Sequence, residues 1–166
     1  LFEGCAWGIP SLVPGALEYG EYRVMCGSFF QVIRFLIQRT IDISLQGAEG
    51  GTALDLYAGV GVFSLPLARR FAKVTAVESG SGAVRDLLFN AERAGVAVQA
   101  GPTSVDAYLS NLSSAPDFVL ADPPRAGITT RVPSRVAPLK PREISISTWA
   151  RARTDREWSY PNPILY

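Results

Sequence analysis

Apolar positions between residues 33 and 45 fall near a 3.6-residue period, with Phe35, Leu36, Ile37, Ile41 and Leu45 on one side and Arg34, Gln38, Arg39 and Asp42 outside it. This spacing predicts an amphipathic helix over 33–45, closed by Gly47, Gly50 and Gly51. Beyond it the pattern alternates between short apolar runs and helical periods. Residues 52–57 read as a strand, 63–71 as a helix with Arg69 and Arg70 near its C-terminus, and 73–78 as a second strand carrying Val74, Ala76 and Val77. A helix is expected over 81–94, ended by Gly95, then a third strand over 96–99, a helix or helical turn over 105–112 and a fourth strand over 117–121. Ile144 and Ile146 mark a fifth. Short strands separated by helical stretches imply βαβ units, hence a doubly wound α/β fold with a mostly parallel sheet and helices on both faces.

The two ends read differently. Residues 1–20 carry Gly4, Gly8, Pro10, Pro14, Gly15 and Gly20, a density of breakers that predicts turns and no regular structure. From Thr148 onward both periods disappear. The organisation expected is therefore a remnant of an upstream region plus the leading helix over 1–45, an α/β domain over 46–147, and an irregular basic tail over 148–166. The first residue is Leu1 and the opening has no signal-peptide pattern, so the chain reads as a piece of a longer protein.

At 166 residues with 48% hydrophobic and 19% charged side chains, the chain has the size and balance of one domain with a buried core. Its formal net charge of +1 excludes a strong overall basic field, but the charge is uneven. Residues 1–126 hold 9 basic and 12 acidic side chains, whereas 127–166 hold 7 and 3, which leaves a basic end that can be a solvated tail or a nucleic-acid contact. No apolar run reaches the roughly 20 residues of a membrane span. Histidine is absent, which excludes Ser-His-Asp and Cys-His catalysis, and Cys5 and Cys26 alone make neither a zinc site nor a disulfide framework. Neither a metal nor a membrane is expected, and a cytoplasmic setting is.

Two motifs carry chemistry. The first is Asp55-Leu56-Tyr57-Ala58-Gly59-Val60-Gly61, between a strand and a helix, with Glu78 closing the next strand 17 residues after Gly61. Glycines at 59 and 61 let a ligand approach the backbone, and an acid at the second strand end can accept hydrogen bonds from both ribose hydroxyls. A dinucleotide turn would want a third glycine at position 64, where Ser64 stands, and Asp55 beside the turn would repel a pyrophosphate. The same carboxylate would attract the ammonium end of S-adenosylmethionine, which favours a methyltransferase over a dehydrogenase. The second motif is Asp122-Pro123-Pro124-Arg125, directly after the apolar strand Phe118-Val119-Leu120-Ala121. Two prolines fix φ and remove two donors, so the chain leaves the sheet stiffly with Asp122 at its carboxyl edge.

With these blocks and Ser28-Phe29-Phe30-Gln31-Val32, the sequence resembles the uracil-C5 RNA methyltransferases over roughly residues 22–147. The resemblance implies a Rossmann-like S-adenosylmethionine-dependent methyltransferase fold, transfer or ribosomal RNA as partner, and methylation of C5 of uridine. It implies cofactor contacts at Gln31, Tyr57, Glu78 and Asp122, beside the turn glycines Gly59 and Gly61. The chain departs from the family pattern at Ile33, where an asparagine is usual, and at Ala100-Gly101-Pro102-Thr103, where an acid near the adenine is usual. The family's cysteine nucleophile follows the strand matching 143–147, where this chain has Thr148-Trp149, and its glutamate base beside a histidine has no counterpart. Cys5 and Cys26 lie upstream of the cofactor strand and are read as small apolar residues, so no catalytic residue is assigned. An amino-directed methyltransferase of RNA or a small molecule, and a non-catalytic nucleoside- or RNA-binding remnant, remain as alternatives.

Overall fold

The computed structural model describes residues 15–25, 37–124, 131–146 and 164–165. In chain order these form β1 (Ala16–Tyr19), β2 (Tyr22–Met25), α1 (Ile37–Ser44), β3 (Gly50–Leu56), α2 (Ser64–Ala68), β4 (Phe71–Glu78), α3 (Ser81–Arg93), β5 (Gln99–Pro102), α4 (Val105–Ser110), β6 (Phe118–Ala121), α5 (Arg131–Val136), a 3-10 turn at Ala137–Leu139, β7 (Glu143–Ile146) and β8 (Ile164–Leu165). β1 and β2 make an antiparallel hairpin. The other six strands form one sheet in the order β5-β4-β3-β6-β7-β8, and every pairing in it is parallel.

The pleat sorts the core. Ala53, Val74, Phe118 and Leu120 pack with Ile41, Leu45, Phe63 and Leu67 on the side covered by α1 and α2, where Phe71 and Phe118 sit with ring centroids 5.5 Å apart. Leu54, Leu56, Val77, Val119 and Ala121 pack on the opposite side with Val105 and Leu109 of α4 and Val132 and Val136 of α5. Leu87 of α3 meets Ala58 and Ala76 on the first side. This is the doubly wound α/β architecture that the alternation of elements predicts.

The differences from expectation are local. Only residues 37–45 of the predicted leading helix lie in the described part, and there α1 keeps Ile41 and Leu45 inward. The second helix is shorter than expected: α2 ends at Ala68, and Phe71 already begins β4. The third strand lies three residues later than its apolar run. Val96 and Val98 pack against the core from the loop, while β5 pairs from Gln99, opposite Thr75. An edge strand is half exposed and needs no continuous apolar stretch. Residues 16–19 are a strand where turns were expected, because Gly20 at φ +56 closes a tight hairpin whose Tyr22 and Val24 are buried against α3 and the loop after β3. At the other end, Ile164 and Leu165 pair with Ser145 and Ile146, so the tail adds a short strand to the sheet.

Among the described residues no helix is long and apolar enough to cross a membrane. The centre of the sheet should carry the largest share of the stability. Leu120 is fully buried between the two helical layers, and Leu120→Ala is expected to cost about 2–5 kcal/mol through lost transfer energy and a residual cavity, read as a lowered denaturant midpoint with unchanged slope.

Candidate functional site

Strand order alone locates the crevice. From β3 the chain winds outward through β4 to β5, then returns to place β6 on the other flank of β3 and winds outward again through β7 and β8. The carboxyl ends of β3 and β6 therefore flank the switch point where open parallel sheets take ligands. Asp122 leaves β6 there, with its N–H donating to the carbonyl of Leu56 at 3.2 Å. Pro123 and Pro124 follow, and Arg125 lies outside the described residues, as do Gln31, Ile33 and both cysteines.

The turn after β3 is built from unusual backbone. Tyr57, Gly59 and Gly61 have φ of +64°, +55° and +96°. For a tyrosine this left-handed conformation costs about 1–2 kcal/mol, and backbone strain of this kind clusters at ligand sites. The two glycines serve different ends. A Cβ on Gly61 would stand 2.9 Å from Leu65 Cδ1 and 3.1 Å from Leu87 Cγ, so this glycine lets α2 and α3 close on the turn. A Cβ on Gly59 would meet nothing within 4 Å. Gly59 faces open space, which is where a ligand can approach the chain.

Glu78 ends β4 beside that turn and holds it. Its Oε2 accepts the Gly59 N–H at 3.0 Å, and its Oε1 accepts the Gly80 N–H at 2.6 Å and the Ser79 hydroxyl at 3.3 Å. A carboxylate has about four acceptor positions, so hydroxyl donors from a ligand can still be taken. The carbonyl of Glu78 accepts from Thr103 N–H at 2.9 Å, which ties the β5–α4 loop into the same rim. Tyr57 is half-buried against the α4 side, and burial, together with the charge of Asp106 nearby, raises its phenol pKa.

Beneath the turn sits Asp55. It is completely buried, and its Oδ2 accepts from the Ser64 hydroxyl at 2.5 Å across the start of α2, whereas Oδ1 has no hydrogen-bond partner. Burial is the main reason its pKa is pushed up to about 7, opposed by the Ser64 bond and reinforced by the negative charges of Asp122 and Glu78. The sequence motif set Asp55 beside the turn. The structure sets it under the turn, with Oδ2 bonded to Ser64 and Oδ1 unpaired. Asp55, Glu78 and Asp122 stand at the carboxyl ends of three neighbouring strands, and the last two act electrostatically on Asp55. A buried orphan oxygen with two further carboxylates suits a cationic amine and ribose hydroxyls and disfavours phosphate, so the residues present fit the amino-acid and ribose parts of S-adenosylmethionine. Among the described residues no group of three or more acids or cysteines could hold a metal ion.

Residues 18–99 match the family model described as tRNA (Uracil-5-)-methyltransferase. The chain is 40% identical over 111 residues to the 23S rRNA (uracil(1939)-C(5))-methyltransferase of Halomonas elongata, covering 60% of this chain and 23% of that protein. It is 34% identical over 128 residues to the 23S rRNA (uracil(747)-C(5))-methyltransferase of Pyrococcus abyssi, covering 73% and 30%. Among solved structures it superposes on the tRNA (uracil-54, C5)-methyltransferase of Pyrococcus abyssi, in complex with S-adenosyl-L-homocysteine, with a TM-score of 0.64 and 31% identity over 74% of this chain and 31% of that one. The chain belongs to the uracil-C5 RNA methyltransferase family. It spans between 23% and 34% of the length of the first curated relatives it matches. S-Adenosylmethionine-dependent methyl transfer is the chemistry of the uracil-C5 RNA methyltransferases, and the Rossmann-like fold of this chain is theirs.

Three participants were not legible as such in the sequence of this family member. Ser64 entered only as a missing glycine, yet it is the hydrogen-bond partner of Asp55. Asp106 stands near Tyr57 from the first turn of α4, in the neighbourhood where the usual acid after the third strand is lacking. Gly80 caps the β4 end through Glu78.

The two glycines separate in a paired test. Gly61→Ala is expected to destabilise by more than about 2 kcal/mol, because both sterics and φ oppose a methyl group. Gly59→Ala should cost only about 1 kcal/mol of backbone strain and show its larger effect on ligand affinity. Thermal melts and calorimetric titration of both variants distinguish the two roles.

Asp55 imposes a pH dependence on stability. Its folded pKa of about 7 lies above the ordinary 3.8, so the folded state binds the proton more tightly than the unfolded chain. The associated stability is fully present below about pH 4 and is lost as pH rises to about 7, by up to about 4 kcal/mol at about 1.4 kcal/mol per pKa unit. Asp55→Asn should flatten the stability profile between these limits, measured by denaturation at a series of pH values.

Proposed function

We propose that the α/β part of this chain is the cofactor-binding portion of an enzyme that methylates C5 of uridine in tRNA or rRNA. Gln31, Tyr57, Gly59, Gly61, Glu78 and Asp122 would hold S-adenosylmethionine, which supplies an electrophilic methyl group when bound. The observation that carries this reading is the buried Asp55 Oδ1 without a partner, flanked by Glu78 and Asp122 at the switch point of the sheet. In this reading Gly59 leaves room for the ligand, Glu78 offers its remaining acceptor positions to the ribose, Asp122 supplies the charge that favours the ammonium end, and Asp55 lies beneath it with an unpaired carboxyl oxygen. Tyr57, fixed in its left-handed conformation, presents a half-buried ring on the α4 side of the crevice.

Methyl transfer to C5 of uracil needs more than a bound cofactor. The carbon becomes nucleophilic when a thiolate adds to C6, and a base must then remove the C5 proton. Residues 27–166 contain no cysteine, and neither Ser147 nor Thr148 forms an alkoxide near neutral pH in a chain without histidine. We therefore infer that this chain by itself binds the cofactor without methylating uridine.

Calorimetric titration with S-adenosylmethionine and S-adenosylhomocysteine, with NAD as control, is the test. Binding of both adenosyl ligands is expected, weakened by about 1–3 kcal/mol in Glu78→Ala through lost ribose hydrogen bonds. Preference for NAD overturns the cofactor assignment. With tritiated S-adenosylmethionine and unmodified tRNA or rRNA, no 5-methyluridine is expected, and an adduct with 5-fluorouridine RNA would show that Cys5 or Cys26 acts as the nucleophile.

A further inference from the structure

The turn between β3 and α2 is held from behind by a second set of contacts that owes nothing to Asp55, Glu78 or Asp122. On α3, Asn90 is completely buried and all of its amide is engaged. Its Oδ1 accepts the Arg23 N–H at 2.7 Å, and its Nδ2 donates to the Arg23 carbonyl at 3.0 Å and to the Val60 carbonyl at 3.1 Å. One turn earlier on the same face, Asp86 Oδ2 accepts the Met25 N–H at 2.9 Å. The match is geometric: residues four apart on a helix rise about 6 Å, and two residues along a strand span about 6.6 Å, so Asp86 and Asn90 meet Met25 and Arg23 in register. Helix α3 thus plays the part of a neighbouring strand for the outer edge of β2. From β2 itself, Tyr22 Oη donates to the Val62 carbonyl at 3.1 Å. The carbonyls on either side of Gly61 are therefore both gripped by the hairpin and the helix it is docked on, and Val60 is buried between Tyr22, Val24 and Ala91.

We propose that Tyr22 and Asn90 are positioning residues for the glycine turn, so that docking of the β1–β2 hairpin and binding of the adenosyl ligand are coupled. This rests on the cofactor reading above. Coupling of this kind is reciprocal: a ligand that prefers the gripped turn must also tighten the hairpin. Neither residue needs to touch the ligand.

The test uses the full chain and S-adenosylhomocysteine, at a temperature where circular dichroism shows every variant folded. In the wild-type chain, ligand binding is expected to slow hydrogen exchange at the Arg23 and Met25 amides. Tyr22→Phe and Asn90→Ala should each weaken binding about 3- to 10-fold, as expected for loss of the one hydrogen bond that each makes to the turn, and diminish that slowing. Tyr22→Phe removes a single hydroxyl and keeps the measurement possible should Asn90→Ala not fold. Phe71→Leu, which loosens the contact with Phe118 at the amino ends of β4 and β6, opposite the turn, should lower the melting temperature and leave the affinity unchanged. Variants that melt lower yet bind as tightly as wild type, or exchange at 23 and 25 that ignores the ligand, overturn the proposal. A wild-type chain that binds no adenosyl ligand overturns the cofactor reading and this inference together, whereas wild-type binding with unaltered variants overturns this inference alone.

Discussion

The crevice depends on one carboxyl group placed where water cannot reach it. Asp55 occupies the central strand of the sheet, at a position where every neighbour in the register is apolar: Ala76 on one side and Leu120 on the other. A charge there is costly, so the group is held by one short hydrogen bond to Ser64 and by a proton affinity far above that of an exposed carboxylate. That bond also pins the first residue of α2 to the strand, which fixes where the turn from 57 to 63 must begin and end. Gly61 then lets α2 and α3 meet over it, and the left-handed Tyr57 starts the turn at a sharp angle.

Much of this architecture was legible because it repeats. Alternating apolar runs and helical periods identify β3, β4, α3, α4 and β6, and the Asp-x-x-x-Gly-x-Gly block marks the glycine turn that Glu78 holds at the end of β4. What escaped was set by contacts between distant residues. The β1–β2 hairpin hides among glycines and prolines, since its stability comes from α3 and not from its own pattern. Val96 and Val98 look like a strand because they are apolar, yet they are apolar to seal the edge of the core from a loop, and the ladder is made by the less hydrophobic residues 99–102. The burial of Asp55 could not be read from the motif, where a carboxylate next to glycines suggests a solvent-facing ligand group.

The charges are arranged with equal economy. Around the crevice, the acids Asp55, Glu78, Asp122 and Asp106 gather at one end of the sheet. At the opposite end, Arg70 and Arg142 donate to the main-chain carbonyls of Leu45 and Glu49, and Asp117 accepts from the N–H groups of Gly51 and Thr52. The bonds from Thr52 and Gly51 draw the Asp117 pKa down and tie the amino ends of the strands together. The sheet is therefore stapled at one end and electrostatically prepared at the other.

The pairing of β2 with Asp86 and Asn90 has one more result. A hairpin leaves rows of free N–H and C=O groups on its outer edges, and such rows recruit strands from other molecules. On β2 the Arg23 N–H and C=O and the Met25 N–H are satisfied by side chains rooted in a helix, which can present the right atoms but cannot be extended into a second sheet. The hairpin is thereby closed to template-driven growth along that side, a protection that a neighbouring strand would only pass on to its own outer edge.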